Sequence, residues 1–154
     1  MSSHNLTLYS VGTPNGLKIS VALALIGLDY KLHPISFAKN EQKEDWFISM
    51  NPNGRIPTVV DHQNKDFVIF ESGAILLYLA DRYDPEGILI AKDKDIKSQV
   101  EQWVMWQMGG LGPMLGQLGW FKRQEEKNEM AIKRYLDESM RLLGVSFYCI
   151  FSSM

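Results

Sequence analysis

The stretch from residue 53 to residue 75 constrains the fold of this chain more than any other part of it. Residues 53–60 read Asn-Gly-Arg-Ile-Pro-Thr-Val-Val, a turn followed by a proline at the mouth of a β-branched strand. Residues 67–75 read Phe-Val-Ile-Phe-Glu-Ser-Gly-Ala-Ile, a second strand that leads through an acid and a hydroxyl into a helix. This order presents backbone amides, a carboxylate and a helix N-terminus to one point, which suits a small ligand with both an amine and a carboxylate.

Composition narrows the class of protein. The 154 residues are 45% hydrophobic and 22% charged, which is ordinary for a globular protein with a core. A formal net charge of −2 gives no electrostatic reason to expect nucleic acid or an anionic membrane as a partner. The N-terminus lacks the features of a signal peptide, and no apolar run approaches the length of a membrane span. The single cysteine, Cys149, fits a reducing compartment, so we predict a cytoplasmic location.

The first third of the chain alternates between strand and helix patterns. Residues 6–11 and 30–35 are strand-like, and residues 42–50 form a short polar helix that ends before Pro52. Between the two strands, residues 15–28 have a helical pattern with Gly27 as its C-terminal stop. The apolar stripe of that helix comprises Leu17, Val21, Ala24, Leu25 and Leu28.

The next segment predicts a hairpin and a helix. Residues 57–61 and 67–70 are β-branched or aromatic runs on either side of a polar turn, and residues 71–83 have helical spacing. A βαβ unit requires a parallel, right-handed crossover, whereas the two later strands pair as a hairpin. The sequence therefore predicts an α/β, thioredoxin-like arrangement for this part of the chain.

Everything after the linker at residues 84–87 reads as helical. Residues 95–121 and 130–145 have apolar residues at helical intervals. The run Gly-Gly-Leu-Gly-Pro at residues 109–113 is unusual there, because each glycine costs ~1 kcal/mol against alanine and Pro113 opposes the helix. Two interpretations stay open: a close approach of the backbone to a neighbour or ligand, or a helix break with a loop.

Several motifs together resemble the glutathione transferase family. They are Thr-Pro-Asn-Gly at residues 13–16, the run from Phe70 to Ala80, and Gly-Gly-Leu-Gly-Pro-Met-Leu-Gly-Gln at residues 109–117. They are most similar to the nu-class branch, which includes bacterial disulfide-bond oxidoreductases and the fungal nitrogen regulators. The resemblance implies a thioredoxin-like glutathione-binding domain at residues 1–85 and a partial, shortened all-α domain at residues 92–154.

The C-terminal end departs from this family. Residues 145–154 lack the pattern of the second domain, and family members continue with several more helices. We therefore expect a truncated helical domain whose apolar residues, including Trp103, Trp106 or Leu143, are exposed. Cys149 lies in this tail and is not expected to be a nucleophile.

The resemblance assigns one end of glutathione to Glu71 and Ser72. Glu71 supplies an acceptor for the ligand ammonium, and Ser72 offers its hydroxyl and amide to the adjacent carboxylate. Taken alone, the pair favours a cap for the following helix; together with the preceding Ile56 and Pro57 it favours a ligand site. Ile56 is expected to pair through its backbone with the cysteinyl unit, and Pro57 is expected to be cis.

Three further positions match family sites. Gln42 and Arg55 match positions near the glycine end of glutathione, although Arg55 is also an ordinary residue for a surface turn. Arg134 matches a position from which this branch reaches the ligand; the alternative is a solvated helical charge. The histidines His4, His33 and His62 are scattered without ligand-like spacing, so no metal site is predicted.

The loop after the first strand has neither Cys nor Tyr for the thiol of glutathione. It has Thr13 and Asn15, which the resemblance assigns as the thiol-side, catalytic contacts; an N-cap and turn pair is the alternative. A thiol of pKa ~8.5 needs a downward shift of about two units, or ~2.7 kcal/mol, to ionise at neutral pH. A helix N-terminus stabilises the thiolate by ~0.3–1 kcal/mol and a hydrogen bond stabilises it by ~1.5–3 kcal/mol, so the two together are sufficient to ionise the thiol.

The leading functional hypothesis is a glutathione-dependent transferase or disulfide/peroxide reductase that uses bound glutathione thiolate on a small electrophile or disulfide. The first alternative is a non-catalytic regulator of the nitrogen-regulator type. The second is an inactive truncated product. The family also pairs through its N-terminal domain and first helices, so a homodimer is expected.

Overall fold

The computed structural model describes residues 4–152, and it describes side-chain surroundings for residues 4–146. The chain divides into two compact units, the first ending at Lys97 and the second beginning at Ser98. The domain bounds expected from sequence, with one domain ending at residue 85 and the next starting at residue 92, stay a prediction.

The first unit is a four-stranded mixed sheet with helices. The sheet order is β2-β1-β3-β4, with β1 and β2 parallel and the other two pairs antiparallel. This is the predicted thioredoxin-like arrangement, which is confirmed. Its elements are β1 (Leu6–Ser10), α1 (Pro14–Leu25), β2 (Tyr30–Pro34), α2 (Asp45–Met50), β3 (Thr58–Asp61), β4 (Phe67–Phe70) and α3 (Ser72–Tyr83). Short 3-10 turns cover Phe37–Lys39, Glu41–Lys43 and His62–Asn64.

Most predicted elements of this unit lie within a few residues of the observed ones. The largest differences are three residues long and lie at the end of α1 and the start of α2. Helix α1 was expected to reach residue 28 and ends at Leu25. Helix α2 was expected from residue 42 and begins at Asp45, because Glu41–Lys43 forms a separate 3-10 turn. Gly27 follows the end of α1 with φ of 64°, a conformation that glycine adopts without strain, so its role as a helix stop is confirmed.

The buried face of α1 differs from the predicted stripe. The residues of α1 that are buried are Gly16, Ile19, Ala22 and Leu23. Three of them, Ile19, Ala22 and Leu23, join Leu6, Leu8, Val59, Ile75 and Leu79 in one core cluster. Most of the predicted stripe lies outside this cluster, since Leu17, Val21 and Leu25 are 54%, 56% and 58% exposed. Its last residue, Leu28, is partly buried and packs against the cluster. Periodicity was therefore a correct signal for a helix, but α1 has two apolar faces and only packing against the sheet selects one of them.

Strand register determines which loops meet. Tyr9 of β1 pairs with Thr58 of β3, and Thr58 pairs with Phe70 of β4. Ser10 at the end of β1 pairs with Pro34 at the end of β2. The segments that follow β1, β2 and β4 and the segment that precedes β3 therefore leave the sheet at the same end. We call this end the site edge.

The second unit is helical. It contains the end of α4 (Lys94–Trp106), a π-helical segment (Gln107–Leu111), α5 (Gly112–Arg123) and α6 (Glu129–Ser152). The glycine-rich run forms no loop, since Leu111 and Gly112 both keep right-handed helical angles. A Cβ on Gly112 would lie 2.8 Å from Gln107 Nε2 and 3.1 Å from Gln107 O. The helix therefore continues through Pro113 with a locally wider turn, and a side chain at position 112 would be crowded by Gln107 of the same segment.

Two expectations for the second unit were wrong. The last helix was expected to end at residue 145, but its backbone continues to Ser152. Trp103, Trp106 and Leu143 are partly buried, and the rings of Trp103 and Trp106 pack edge to face at 5.2 Å. The large apolar residues that are exposed in this unit include Met105, Leu115, Trp120, Met130, Leu136 and Met140. Within the described part of the chain, no helix combines the length and apolar character that a membrane crossing requires.

Candidate functional site

The site edge gathers the residues predicted for the site that lie in the first unit. Thr13 and Asn15 follow β1, Gln42 lies in the segment after β2, and Ile56 directly precedes β3. Glu71 and Ser72 stand at the junction of β4 and α3, and Arg55 lies in the turn before Ile56. Residues that are far apart in sequence therefore meet at one end of the sheet because the strand register brings them there.

Asn51 organises the turn that leads into β3. Its side chain is buried, and its Nδ2 donates to the carbonyl of Arg55 at 2.6 Å and to Oγ1 of Thr58 at 2.9 Å. Its Oδ1 accepts from the backbone N–H of Asn53 at 3.0 Å. Sequence reasoning missed this residue. The available signal was an Asn directly before Pro-Asn-Gly, since Asn side chains stabilise turns by bonding to backbone two residues on.

Gly54 and the proline after it fix the path of this turn. Gly54 has φ of 60°, and a Cβ there would lie 2.8 Å from Ile48 Cδ1 and 3.0 Å from the carbonyl of Gln42. The Ile56–Pro57 peptide bond is cis, as expected from the resemblance. Because β3 begins only at Thr58, the backbone of Ile56 lies outside the sheet ladder, at the site edge. A backbone in this place suits pairing with an extended peptide ligand.

Glu71 is the most unusual residue of the site. It has φ of 71° and ψ of 117°, a region that costs about 1–3 kcal/mol for a residue other than glycine. It is the N-cap of α3, yet its side chain makes no capping hydrogen bond. Its Oε1 instead accepts from Asn53 Nδ2 at 3.1 Å. The capping interpretation therefore does not hold for the Glu71 carboxylate, which is exposed.

Ser72 and Lys18 flank this carboxylate. Ser72 is buried at the first position of α3, where helix amides point outwards and favour an anion. Burial lowers the pKa of Lys18 on α1, and the attraction of Glu71 opposes that shift. Lys18 was missed by sequence reasoning, since its spacing on α1 gives no local sign that it approaches α3.

Thr13 and Asn15 begin helix α1. Thr13 is the N-cap, and its Oγ1 accepts from the N–H of Gly16 at 3.3 Å. A hydroxyl that accepts one hydrogen bond retains its own proton for donation, so capping and contact with a thiolate are compatible. Asn15 is exposed in the first turn of the same helix. Both residues therefore stand where a helix dipole favours negative charge.

The two remaining predicted residues of this unit are Gln42, in the 3-10 turn before α2, and Arg55, in the turn before β3. Gln42 Nε2 donates to Asn40 Oδ1 at 2.8 Å, whereas Gln42 Oε1 is buried and accepts no hydrogen bond from any residue that the structure describes. Arg55 has its carbonyl fixed by Asn51 while the residue as a whole is exposed. The roles of both side chains in ligand binding stay a prediction.

Two residues that the sequence analysis considered lie in the second unit: Arg134, expected at the ligand, and Cys149, not expected to be a nucleophile. Arg134 is exposed on α6, near Glu138, so the interpretation as a solvated helical charge fits its surroundings and its role at a ligand stays a prediction. The Cys149 side chain lies outside the described residues. Among residues 4–146, no group of three or more His, Cys, Asp or Glu residues is arranged to hold a metal ion.

A second polar cluster lies at the opposite end of β3 and was not predicted. Asp61 is fully buried and accepts from the hydroxyls of Tyr78 at 2.5 Å and Tyr83 at 2.7 Å. Its Oδ1 also accepts from the backbone N–H groups of Gln63 and Asn64, which begins the hairpin turn. Burial, with the hydrogen bond to Asp61, raises the pKa of Tyr83 to about 12. We call this set the Asp61 cluster.

Known proteins share this architecture. The sequence pattern of the glutathione S-transferase N-terminal domain matches residues 4–81. Glutathione S-transferase 1 of Schizosaccharomyces pombe is 44% identical over 86% of this chain and 58% of its own length. The disulfide-bond oxidoreductase YfcG of Escherichia coli is 41% identical over 90% of this chain and 65% of its own length.

The structure of Ure2p in complex with glutathione superposes with a TM-score of 0.90 and 35% identity, over 95% of this chain and 68% of that one. The corresponding protein of Saccharomyces cerevisiae is named a transcriptional regulator. The chain thus spans about three fifths of the length of the curated glutathione transferase that it matches. With the domain match, the shared fold and these identities together, the chain belongs to the glutathione S-transferase family.

Proposed function

We propose that the chain binds glutathione at the site edge and uses its thiolate as the nucleophile of a transferase or of a disulfide or peroxide reductase. The observation that carries this proposal is the register of the sheet, which brings the N-terminus of α1, the free backbone of Ile56 and the uncapped carboxylate of Glu71 to one end. The Ure2p structure, which contains glutathione and shares this fold, supports it.

Each part of the tripeptide has a partner of suitable chemistry. The Glu71 carboxylate accepts from the γ-glutamyl ammonium, and Ser72 at the start of α3 binds the neighbouring carboxylate. The backbone of Ile56 pairs with the cysteinyl unit as an added strand would. Gln42 and Arg55 bind the glycyl carboxylate, with Arg134 as a further proposed contact.

The thiol of glutathione is ionised by dipoles and not by a protein base. Thr13 donates its hydroxyl proton to the sulfur, Asn15 donates from its amide, and the N-terminus of α1 favours the negative charge. In conjugation, the sulfur forms a bond to an electrophilic carbon while the leaving group departs with the bonding electrons. In reduction, the thiolate attacks a disulfide and releases one thiolate, and a second glutathione then resolves the mixed disulfide to oxidised glutathione.

Titration calorimetry with glutathione tests the binding step. We expect wild-type protein to bind, and Glu71→Gln to weaken binding about 10–100-fold because a charge-assisted hydrogen bond becomes a neutral one. Glutamine keeps the size of the side chain, so the folded state is preserved. Absence of binding heat with folded wild-type protein would refute the proposal.

Turnover assays separate the two reactions. Conjugation predicts activity with a chlorodinitrobenzene-type electrophile, and reduction predicts activity with hydroxyethyl disulfide. With either substrate, Asn15→Ala should raise the apparent pKa of the bound thiol, because one hydrogen bond to the thiolate is removed. An unchanged pH–rate profile would exclude Asn15 from the mechanism.

A second candidate function is a regulatory protein that binds glutathione without turnover. It is favoured by the likeness to Ure2p, whose S. cerevisiae form is named a transcriptional regulator. Binding of glutathione without turnover of either substrate would support it. For both functions we propose a homodimer, which sedimentation of the intact chain would test.

A further inference from the structure

Asn53 lies between the two halves of the site edge and touches both. Its Nδ2 donates to Glu71 Oε1 at 3.1 Å, a bond that spans 18 positions of sequence. Its backbone N–H donates to Asn51 Oδ1 at 3.0 Å, and its carbonyl accepts from Lys43 Nζ at 3.4 Å. Both backbone polar groups of Asn53 are therefore anchored on the turn side, while the side chain reaches the helix side.

Asn51 is the fixed point of this connection. It is only 2% exposed, and its amide nitrogen is committed to the Arg55 carbonyl and the Thr58 hydroxyl. A buried amide with partners at both its nitrogen and its oxygen has one favourable orientation, because any rotation leaves a buried polar atom unsatisfied. The position of the Asn53 backbone is thus determined by the buried Asn51, which is itself held by Thr58 at the start of β3.

Glu71, in contrast, has few restraints of its own. Glu71 is exposed, and its carboxylate does not cap α3, the helix that follows it. An exposed glutamate side chain samples several rotamers and loses that freedom when it binds a ligand. Lys18 on α1 attracts the same carboxylate and would compete with an incoming ammonium group for it.

We propose that Asn53 is a positioning residue that orients the Glu71 carboxylate for the ammonium of the γ-glutamyl group. This inference rests on the proposed binding of glutathione. The amide of Asn53 is suited to the role because it is neutral, so it binds Oε1 without cancelling the charge that the ammonium requires. A carboxylate has about four lone-pair sites, so Oε2 stays available for the ligand.

The proposal makes a ligand-specific prediction, since Asn53 acts only through the group that binds the ammonium. The test compares glutathione with its deaminated analogue, glutaryl-cysteinyl-glycine, by titration calorimetry. Asn53→Ala should weaken glutathione binding about tenfold, equivalent to ~1.4 kcal/mol, and change binding of the analogue less than about twofold. Asn53→Leu is a second variant of similar size that adds no charge and cannot donate to Glu71, and it should show the same selectivity.

Gln63→Ala is the matched control. Gln63 also makes one exposed side-chain amide bond, from its Nε2 to Asn5 Oδ1 at 3.1 Å, but it lies just after β3, at the other end of that strand. It should leave the binding of both ligands unchanged. In a Glu71→Gln background, adding Asn53→Ala should change glutathione binding less than about twofold, since the charged acceptor is already absent.

The outcomes separate the two levels of inference. If wild-type protein binds no glutathione, the proposed function fails and this inference fails with it. If wild-type protein binds, but Asn53→Ala and Asn53→Leu weaken the binding of both ligands equally, Asn53 merely supports the turn and the positioning role is overturned. If the variants weaken the binding of glutathione and not that of the deaminated analogue, the positioning role is supported.

Discussion

The hairpin of β3 and β4 has one acidic residue at each end, and the two residues have very different surroundings. At the hairpin turn, Asp61 is completely buried and accepts from two tyrosine hydroxyls and two backbone amides. At the site edge, Glu71 is exposed, has φ of 71° and accepts from one neutral side-chain amide.

The difference separates an acid that serves the fold from an acid for which we propose a role at a ligand. A buried carboxylate is tolerated only when its lone pairs are satisfied, and removal of such a group leaves several buried donors without partners. A carboxylate that is held in a strained residue without capping its own helix contributes little to stability. Strain at such a position is common where a side chain must be aimed at a ligand.

The largest expected effect is on the Asp61 cluster. Asp61→Ala should lower the free energy of unfolding by about 3–5 kcal/mol, because Tyr78, Tyr83 and the turn amides lose their acceptor. Urea unfolding followed by circular dichroism measures this change. Asp81→Ala is the control, since the Asp81 side chain is 82% exposed and lies 4.0 Å from Lys97, and it should stay within about 0.5 kcal/mol of wild type. Equal losses for both variants would contradict the assigned role of Asp61.

The turn at the site edge provides the next largest effect. Gly54→Ala should lower the free energy of unfolding by about 2–3 kcal/mol, because φ is 60° and the new Cβ meets Ile48 and the Gln42 carbonyl. Gly12→Ala is the matched control, since no atom lies within 4 Å of its Cβ position and its φ is not positive. It should be neutral or stabilising by up to about 1 kcal/mol. The same unfolding titration compares both.

Replacement of Glu71 by glycine tests the strain directly. Glu71→Gly should raise the free energy of unfolding by up to about 1 kcal/mol, since glycine adopts positive φ without steric cost, while glutathione binding is lost. Lys65→Gly serves as the control, because Lys65 also has positive φ, at 56°, but lies in the hairpin turn. It should gain stability and retain binding. A loss of stability in Glu71→Gly would remove the strain argument.

The smallest and most gradual effect is alkaline destabilisation. The pKa of Tyr83 is raised from 10.0 to about 12 by burial and by the hydrogen bond to Asp61. A raised pKa means that the folded state holds the phenol proton longer than the unfolded state does. The associated stability is therefore complete below about pH 10 and is lost as the pH rises to about 12. Urea unfolding at several pH values should show a shallower decline for Tyr83→Phe than for wild type; parallel curves would contradict this assignment.

Local patterns were sufficient for the elements and for much of the site. The alternating runs at β3 and β4 and the stop at Gly27 depend on neighbouring residues, so their types were predictable. The place of Glu71 and Ser72 at the start of α3 was also predictable, because an acid and a hydroxyl precede an apolar helical pattern. The buried face of α1 was not predictable, since residues on two of its faces are apolar and only contact with the sheet distinguishes them.

The amino-acid sequence by itself determined the strands, the helices, the turn before β3 and the family to which its motifs belong, because these follow from short-range periodicity and turn chemistry. Only the tertiary structure decided that Asn53 bonds to Glu71 and that Tyr83 bonds to Asp61, pairs that lie 18 and 22 positions apart. Partners at such separations depend on strand register and helix packing. For that reason two acids that look alike in the sequence, one at each end of the hairpin of β3 and β4, lie in opposite surroundings.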